Sequence, residues 1–282
     1  MINDECLMVE GKNSFLKTLH YLSLDVVLGA VVSNWMFWKI PNENGAVNLP
    51  SILVLGICTW IIYILDRLLD NIKSEPKDAR HQFHFQHQYY LQLCIIILCF
   101  IAAILAFFLP RNIIYFGIAV SVLILIYFYI LQKKSKSANY QYFKEIFTSA
   151  IYSICVVGSA FSTKSNLDWQ AYLAGFVFFL LVLQSILTFS FYESQAYPKT
   201  KNLAKKLGKT NCAFLILGVL LLSIISIFSN DNLYLQKVFF IETLMAFCSV
   251  LIYFFQANLA KNENYRWLGE MVFWLPLILI FF

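Results

Sequence analysis

Apolar residues in this chain run in long unbroken blocks separated by short polar segments, without the alternation of period two that marks a half-buried strand. Nine blocks reach or approach the roughly 20 residues that a helix needs to cross a hydrocarbon core. They are Phe15–Trp38, Ile52–Leu69, His87–Leu109, Asn112–Gln132, Tyr142–Ser162, Trp169–Tyr192, Asn211–Ser229, Leu235–Gln256 and Tyr265–Phe282. Continuous runs predict helices, because the strands of membrane barrels alternate over about ten residues. The expected fold class is therefore all-α, a polytopic membrane protein with nine transmembrane helices. The first block does not fit a cleaved signal, being too long, carrying His20 and Asp25 inside it and lacking a small-residue cleavage pattern. A simple anchor is the competing reading for that block.

Composition agrees: 60% of residues are apolar, 17% aromatic and 13% charged, whereas soluble domains carry about 25% charged residues. Basic residues set the expected orientation, since loops rich in Lys and Arg stay in the cytoplasm. With the N-terminus placed inside, seventeen Lys and Arg fall on the cytoplasmic side and only Lys39, Arg111, Lys164 and Lys237 outside, which puts the C-terminus outside. The net charge of +5 is thus explained by topology, and a nucleic-acid partner, which would need a basic patch on a soluble face, is not expected. The seven cysteines, at positions 6, 58, 94, 99, 155, 212 and 248, stand singly and mostly within apolar blocks. That spacing suggests small core hydrophobes rather than a zinc site or a disulfide framework. With no linker or low-complexity tract, residues 1–282 read as one transmembrane domain. Two longer cytoplasmic connections, about 70–87 and 193–209, would cap one end. The lack of a targeting segment favours a bacterial inner membrane.

Both long connections begin with acid at the end of an apolar helix, and their patterns are loosely alike, as internal repeats in membrane folds can be. In the first, Asp66 and Asp70 lie four residues apart, on one helical face with Tyr63 and Arg67. Like charges at that spacing repel by a few tenths of a kcal/mol in water and more at a membrane edge, so a counter-ion is required. Arg67 and Lys73 would supply it in an ordinary salt-bridged helix end. A divalent cation would supply it in a binding site, and Mg²⁺ in particular is held by one or two carboxylates together with phosphate oxygens. Lys and Arg nearby would then complete a diphosphate site.

The segment Leu65–Asp70, the nine spans and the acid after the sixth span together resemble the UbiA superfamily of intramembrane prenyltransferases. The resemblance covers nearly the whole chain in architecture but only two short motifs in residues. It implies a UbiA-like bundle that binds Mg²⁺ and a polyprenyl diphosphate and passes the prenyl group to a lipophilic acceptor. Carried onto this sequence, the last two acids of the first family motif match Asp66 and Asp70, and an intervening arginine matches Arg67. The leading Asn-Asp pair is replaced by Ile62 and Tyr63. In the second motif the first acid matches Glu193, the second is replaced by Tyr197, and a following lysine matches Lys199. The implied metal ligands are Asp66, Asp70 and Glu193, with Arg67, Lys73, Arg80, Lys199 and Lys201 on the diphosphate.

Other residues admit more than one reading. Asp25 lies within the first span, where an ionised carboxylate is costly; it contacts the acceptor or acts as a base, or it makes a structural hydrogen bond. Glu242 and Glu270 carry the same argument with less force. His81, His84 and His87 recur every three residues and serve as a lid over the phosphates together with Tyr63 and Tyr197, or form a wet interfacial helix, or bind a metal. The aromatic run of the sixth span (Phe176, Phe178, Phe179, Phe189, Phe191 and Tyr192) either lines a cavity for an allylic cation or packs. Polar lines at Glu145, Ser149, Tyr152 and Ser153, and at Gln184, Thr188 and Tyr192, suit helix-to-helix hydrogen bonding as well as a cavity wall. Three functions stay open beside prenyl transfer: a membrane terpene cyclase, a non-catalytic isoprenoid or lipid binder, and a small-solute transporter.

Overall fold

The computed structural model describes residues 17–41, 43, 45–73, 79–134, 138–198, 200–229, 231–260 and 263–281, and the described residues contain helices and no strands. The elements are α1 (Leu24–Trp38), α2 (Leu49–Lys73), α3 (Ala79–Gln86), α4 (Gln88–Ala106), α5 (Arg111–Lys134), α6 (Ala138–Ser153), α7 (Trp169–Ala196), α8 (Leu203–Ile227), α9 (Leu233–Phe254) and α10 (Asn264–Met271). Six of these, α2, α4, α5, α7, α8 and α9, are long and apolar enough to cross a membrane. An apolar solvent leaves backbone groups no partner but one another, which makes the uninterrupted helix the stable local solution. The chain is an integral membrane protein on this ground.

The other three apolar blocks are helical but broken, each for a visible reason. The first is interrupted at Leu22 and Ser23, where Ser23 takes a left-handed conformation (φ 59°); Trp60 Nε1 donates to the Leu22 carbonyl at 2.9 Å. The break turns residues 17–21 back, so that His20 meets Asp25 at the start of α1. The fifth block passes from α6 into a π turn, Ile154–Gly158, before Ser159–Phe161 resumes the α-helix. A π turn puts carbonyls out of register with the next amides. Fully buried Asn34 answers this by donating to the Val156 carbonyl at 2.6 Å and to Ser159 Oγ at 2.9 Å. The last block leaves α10 as a 3₁₀ segment, Val272–Ile280, with Pro276 inside, where the missing N–H removes one α-helical bond.

α7, α8 and α9 pack on one another, α6 lies along α7, and α1 sits between α2 and the Val272–Ile280 segment. Gly29 allows that last approach, since a Cβ there would stand 2.8 Å from Phe273 Cβ. At the Lys39 end of α1, Lys164 Nζ donates to the Trp38 carbonyl at 2.6 Å and also to Phe37 and Ile40, while Tyr234 Oη donates to Met36. These bonds satisfy the orphan carbonyls of the helix end. Of the polar lines in the sequence, Gln184 and Tyr192 bond across helices, to the carbonyls of Ile216 and Ile252 at 3.0 and 2.7 Å. The aromatic run divides: Phe178 is fully buried, Phe176 is exposed, and Phe191 packs on Tyr253.

Replacing Asn34 by Leu removes the donor to the π turn and leaves the buried Val156 carbonyl only the longer 3.4 Å bond from Ser159 Oγ. The expected loss is about 1–3 kcal/mol, measured by denaturation in detergent, with Asn34→Gln retaining part of the stability.

Candidate functional site

Charged side chains converge at the end of the bundle where α2 and α7 finish and α1 and α10 begin. They form three groups. In the first, Asp66 and Asp70 both face Lys144, whose Nζ, on α6, stands 3.8 Å from Asp66 Oδ1 and 3.6 Å from Asp70 Oδ2. Both aspartates are partly exposed, at 28% and 29% of their side-chain surface, and the pairing distances are longer than a direct hydrogen bond. Arg67, expected to serve these aspartates or a diphosphate, instead donates from Nη1 to His81 Nε2 at 3.1 Å. Asn71 adds a bond to the His81 carbonyl at 3.0 Å, tying α3 to the end of α2.

The second group is at the end of α7. Glu193 is paired with Arg266 of α10 through Nη2, and Arg266 Nε lies 3.9 Å from Glu263. Tyr192 and Tyr265 stack beside it with centroids 4.2 Å apart. Glu145, next to Lys144, accepts the Leu203 amide at 2.9 Å and so fixes the start of α8. α6 therefore touches both acid-bearing helices: Lys144 reaches the aspartates of α2, and α6 packs along α7, which bears Glu193. Tyr197 follows α7 and is 41% exposed.

The third group is buried and joins segments far apart in sequence. Arg80 of α3 donates from Nη2 to both carboxylate oxygens of Glu270, at 3.1 and 3.3 Å, and to the His20 carbonyl at 3.1 Å. His20 Nδ1 meets Asp25 Oδ2 and lies 3.1 Å from Glu270 Oε2. Asp25 Oδ1 also accepts the Val26 amide at 3.0 Å, and Trp274 Nε1 donates to the Asp25 carbonyl at 2.9 Å. Asp25 thus meets an imidazole and lies beside a second carboxylate.

Arg80 is 2% exposed and turned toward Glu270 rather than toward Asp66, so in this state it is not part of a diphosphate cradle. The three spaced histidines also part company. Three residues advance a helix by less than a full turn, so the row drifts round the axis. His84 is buried and donates from Nδ1 to the Arg80 carbonyl at 2.9 Å; His81 is half-buried; His87 is exposed and stacked on Phe83 with centroids 4.4 Å apart. A common lid face does not form. Lys201 is exposed. The Lys199 residue and the Lys73 side chain lie outside the described residues. Glu242 is fully buried in α9, and among the described residues neither carboxylate oxygen has a hydrogen-bond partner.

Beneath these groups lies a narrow cleft of about 50 Å³ lined by Tyr63, Thr148, Tyr152, Phe189, Phe273 and Glu270, with Val26, Val182, Ser185 and Ile186. Tyr63 is one turn before Asp66 on α2 and Glu270 belongs to the buried charge group, so the cleft opens between the two. Of the aromatic run of α7, Phe189 alone is in its wall. A second hollow, about 250 Å³, lies at the opposite end of α1 around Trp38, Pro41 and Lys164. The sequence reading missed Lys144, Arg266 and His20. Arg266 and Glu270 lie four apart, and that spacing, which puts two opposite charges on one face of an otherwise apolar block, was the signal for them.

Comparison with family models, curated proteins and solved structures yields no match for this chain.

Two tests follow from the charge groups. Arg80→Met leaves Glu270 buried without its guanidinium and is expected to lower stability by about 3–5 kcal/mol, whereas combining it with Glu270→Leu restores much of that loss; a double-mutant cycle in detergent measures both. Burial, with the Arg67 and Arg80 guanidiniums close by, pushes the His84 imidazole down to about 4. The folded protein then resists a proton that the unfolded chain takes up near its ordinary value of about 6.5, so His84 removes stability as pH falls from about 6.5 to 4. Thermal midpoints recorded across that window should decline less steeply in His84→Gln than in the wild type.

Proposed function

We propose that the protein is a UbiA-like intramembrane enzyme that binds a polyprenyl diphosphate at the charged end of the bundle and transfers its prenyl group to a lipophilic acceptor. The observation that carries this reading is the succession along one helix of Tyr63 in the wall of an apolar, aromatic cleft and Asp66 and Asp70 at its charged rim. That order suits a ligand with a greasy tail and an anionic head. The nine-block pattern supports nine membrane passages, three of them broken, with the charged end in the cytoplasm and the N-terminus on that side. A bacterial inner membrane is the proposed location.

The donor set of the rim fits Mg²⁺: two carboxylates on one helix face, partly exposed and 3.6–3.8 Å from the Lys144 ammonium, suit an ion that takes its other ligands from phosphate oxygens and water. Asp66 and Asp70 would hold the ion. Glu193 is tied to Arg266 and joins them only by exchanging that partner. When bound, Mg²⁺ neutralises charge on the departing diphosphate. Lys144 and Arg67 orient the same group, and Arg266 does so if Glu193 releases it. The bond from the allylic carbon to oxygen breaks with its electron pair on the diphosphate, and the acceptor forms the new bond and gives up a proton. The faces of Tyr63, Tyr152, Phe189 and Phe273 line the cleft where positive charge develops, and aromatic faces attract cations. At about 50 Å³ the cleft is well below the roughly 300 Å³ of ordinary small-molecule pockets, so binding of the chain requires the cleft to widen.

A non-catalytic lipid binder is the second reading, favoured by the engagement of Glu193 with Arg266 and by Tyr197 in place of a second acid. Incubation of the purified protein with radiolabelled prenyl diphosphates, Mg²⁺ and membrane extract as the acceptor source separates the two. The enzyme reading expects Mg²⁺-dependent product, with Asp66→Asn and Asp70→Asn each lowering kcat/KM about 100-fold, which corresponds to about 2.7 kcal/mol. Intact lipid retained without metal dependence and without product would establish the binder instead. A product in which the prenyl chain has closed on itself would assign the cyclase.

A further inference from the structure

The buried meeting of His20, Asp25 and Glu270 is not used by the diphosphate reading and stands independently of it. Three atoms that act as acceptors in their unprotonated forms, His20 Nδ1, Asp25 Oδ2 and Glu270 Oε2, all lie within 4.8 Å of one another. Nδ1 is in contact with Asp25 and 3.1 Å from Glu270. A single Nδ1–H points along one direction and makes one good hydrogen bond, yet here one nitrogen faces two carboxylates. Burial sharpens the problem, because His20 is 5% exposed, Asp25 11% and Glu270 9% by side chain, and two carboxylates meet in such surroundings only with a proton or a positive charge between them.

Arg80 fills that role for Glu270 alone. Its guanidinium approaches Glu270 and the His20 carbonyl, and nothing brings it to Asp25. Its position is that of a group holding a ligating carboxylate in place, as the outer partners of metal sites commonly do. The Val26 amide does the same for the other oxygen of Asp25, and Trp274 fixes the Asp25 backbone. The donors come from the turn before α1, from α1 and from α10, so the whole fold is needed to assemble them.

We infer that His20, Asp25 and Glu270 form a binding site for a divalent transition-metal ion of the Zn²⁺ class. One imidazole with two carboxylates suits Zn²⁺, Mn²⁺ or Fe²⁺, whereas an all-oxygen set suits Mg²⁺ or Ca²⁺. Three protein ligands are the number found in zinc sites that keep a position for water or substrate. Glu270 is also in the cleft wall, and the exchangeable position of the ion is therefore available to an oxygen-bearing ligand in the cleft.

The test uses the full chain in detergent, stripped with chelator and then titrated with Zn²⁺ or with Co²⁺, whose visible absorption reports the ligand set. Metal content is read by elemental analysis. The expected result is one equivalent per chain, with affinity falling by at least about 100-fold in His20→Gln and in Asp25→Asn, beyond the 10–100-fold typical of residues that only orient a ligand. Asp66→Asn should bind Zn²⁺ as the wild type does, which separates this site from the diphosphate rim. Glu270→Gln risks unfolding through loss of the Arg80 pair, so His20→Gln and Asp25→Asn decide the matter, each checked for helicity and monodispersity. Folded wild type that takes up neither ion, or equal uptake by both variants, overturns the inference.

Discussion

The structure is governed by the absence of water as a hydrogen-bonding partner through most of the bundle. Where the chain forms uninterrupted helix, the backbone satisfies itself. Where the helix breaks, a named side chain repairs the damage: Trp60 at the Leu22 turn, Asn34 at the π turn, and Lys164 and Tyr234 at the end of α1. Side-chain charge obeys the same constraint. Arg80 and Glu270 are both largely out of contact with solvent and are paired, and Lys144 stands between two aspartates that would otherwise repel. Buried pairs of this kind add little net stability against apolar replacements, but they are expensive to break one member at a time. They therefore fix the relative positions of α1, α3 and α10 more than they strengthen the fold.

That constraint sorts the charged end into regions of different character. The Asp66, Asp70 and Lys144 rim is partly exposed and loosely paired, which suits exchange of one cation for another. The His20, Asp25, Glu270 and Arg80 group is buried and closely connected, which suits permanent occupation. Glu193 lies between these extremes, more exposed than Arg266 yet tied to it. The cleft runs from Tyr63 below the rim to Glu270 in the buried group, so a ligand that enters it touches both.

Much of the architecture was legible in the sequence because an apolar block of 20 residues has few alternatives to helix. The all-helical membrane class follows from that alone, and Asp66, Asp70 and Asp25 stand out in it because charge at an apolar helix end or within it demands explanation. The interruptions were not legible. Ser23 in a left-handed conformation, the π turn at Ile154–Gly158 and the 3₁₀ segment around Pro276 depend on partners more than 30 residues away or on tertiary crowding. The counter-ions escaped for the same reason: Lys144 and Arg266 lie 74 and 73 residues from the acids they meet at Asp70 and Glu193. Local spacing assigned Arg67 and Lys73 to the aspartates, and Arg67 turned instead to His81. The histidine row failed as a common face because a spacing of three is not the period of the helix.

The central claim is that the rim of α2 is a seat for an anionic lipid head bridged by a divalent cation. It is tested most directly by equilibrium binding of a non-hydrolysable prenyl diphosphate analogue to the protein in nanodiscs while Mg²⁺ is titrated from none to saturation. The account predicts that affinity rises with Mg²⁺ in the wild type and that this rise disappears when Asp66 and Asp70 are both changed to Asn. Binding that is equally tight with and without the ion, or a Mg²⁺ response that survives the double change, would contradict it.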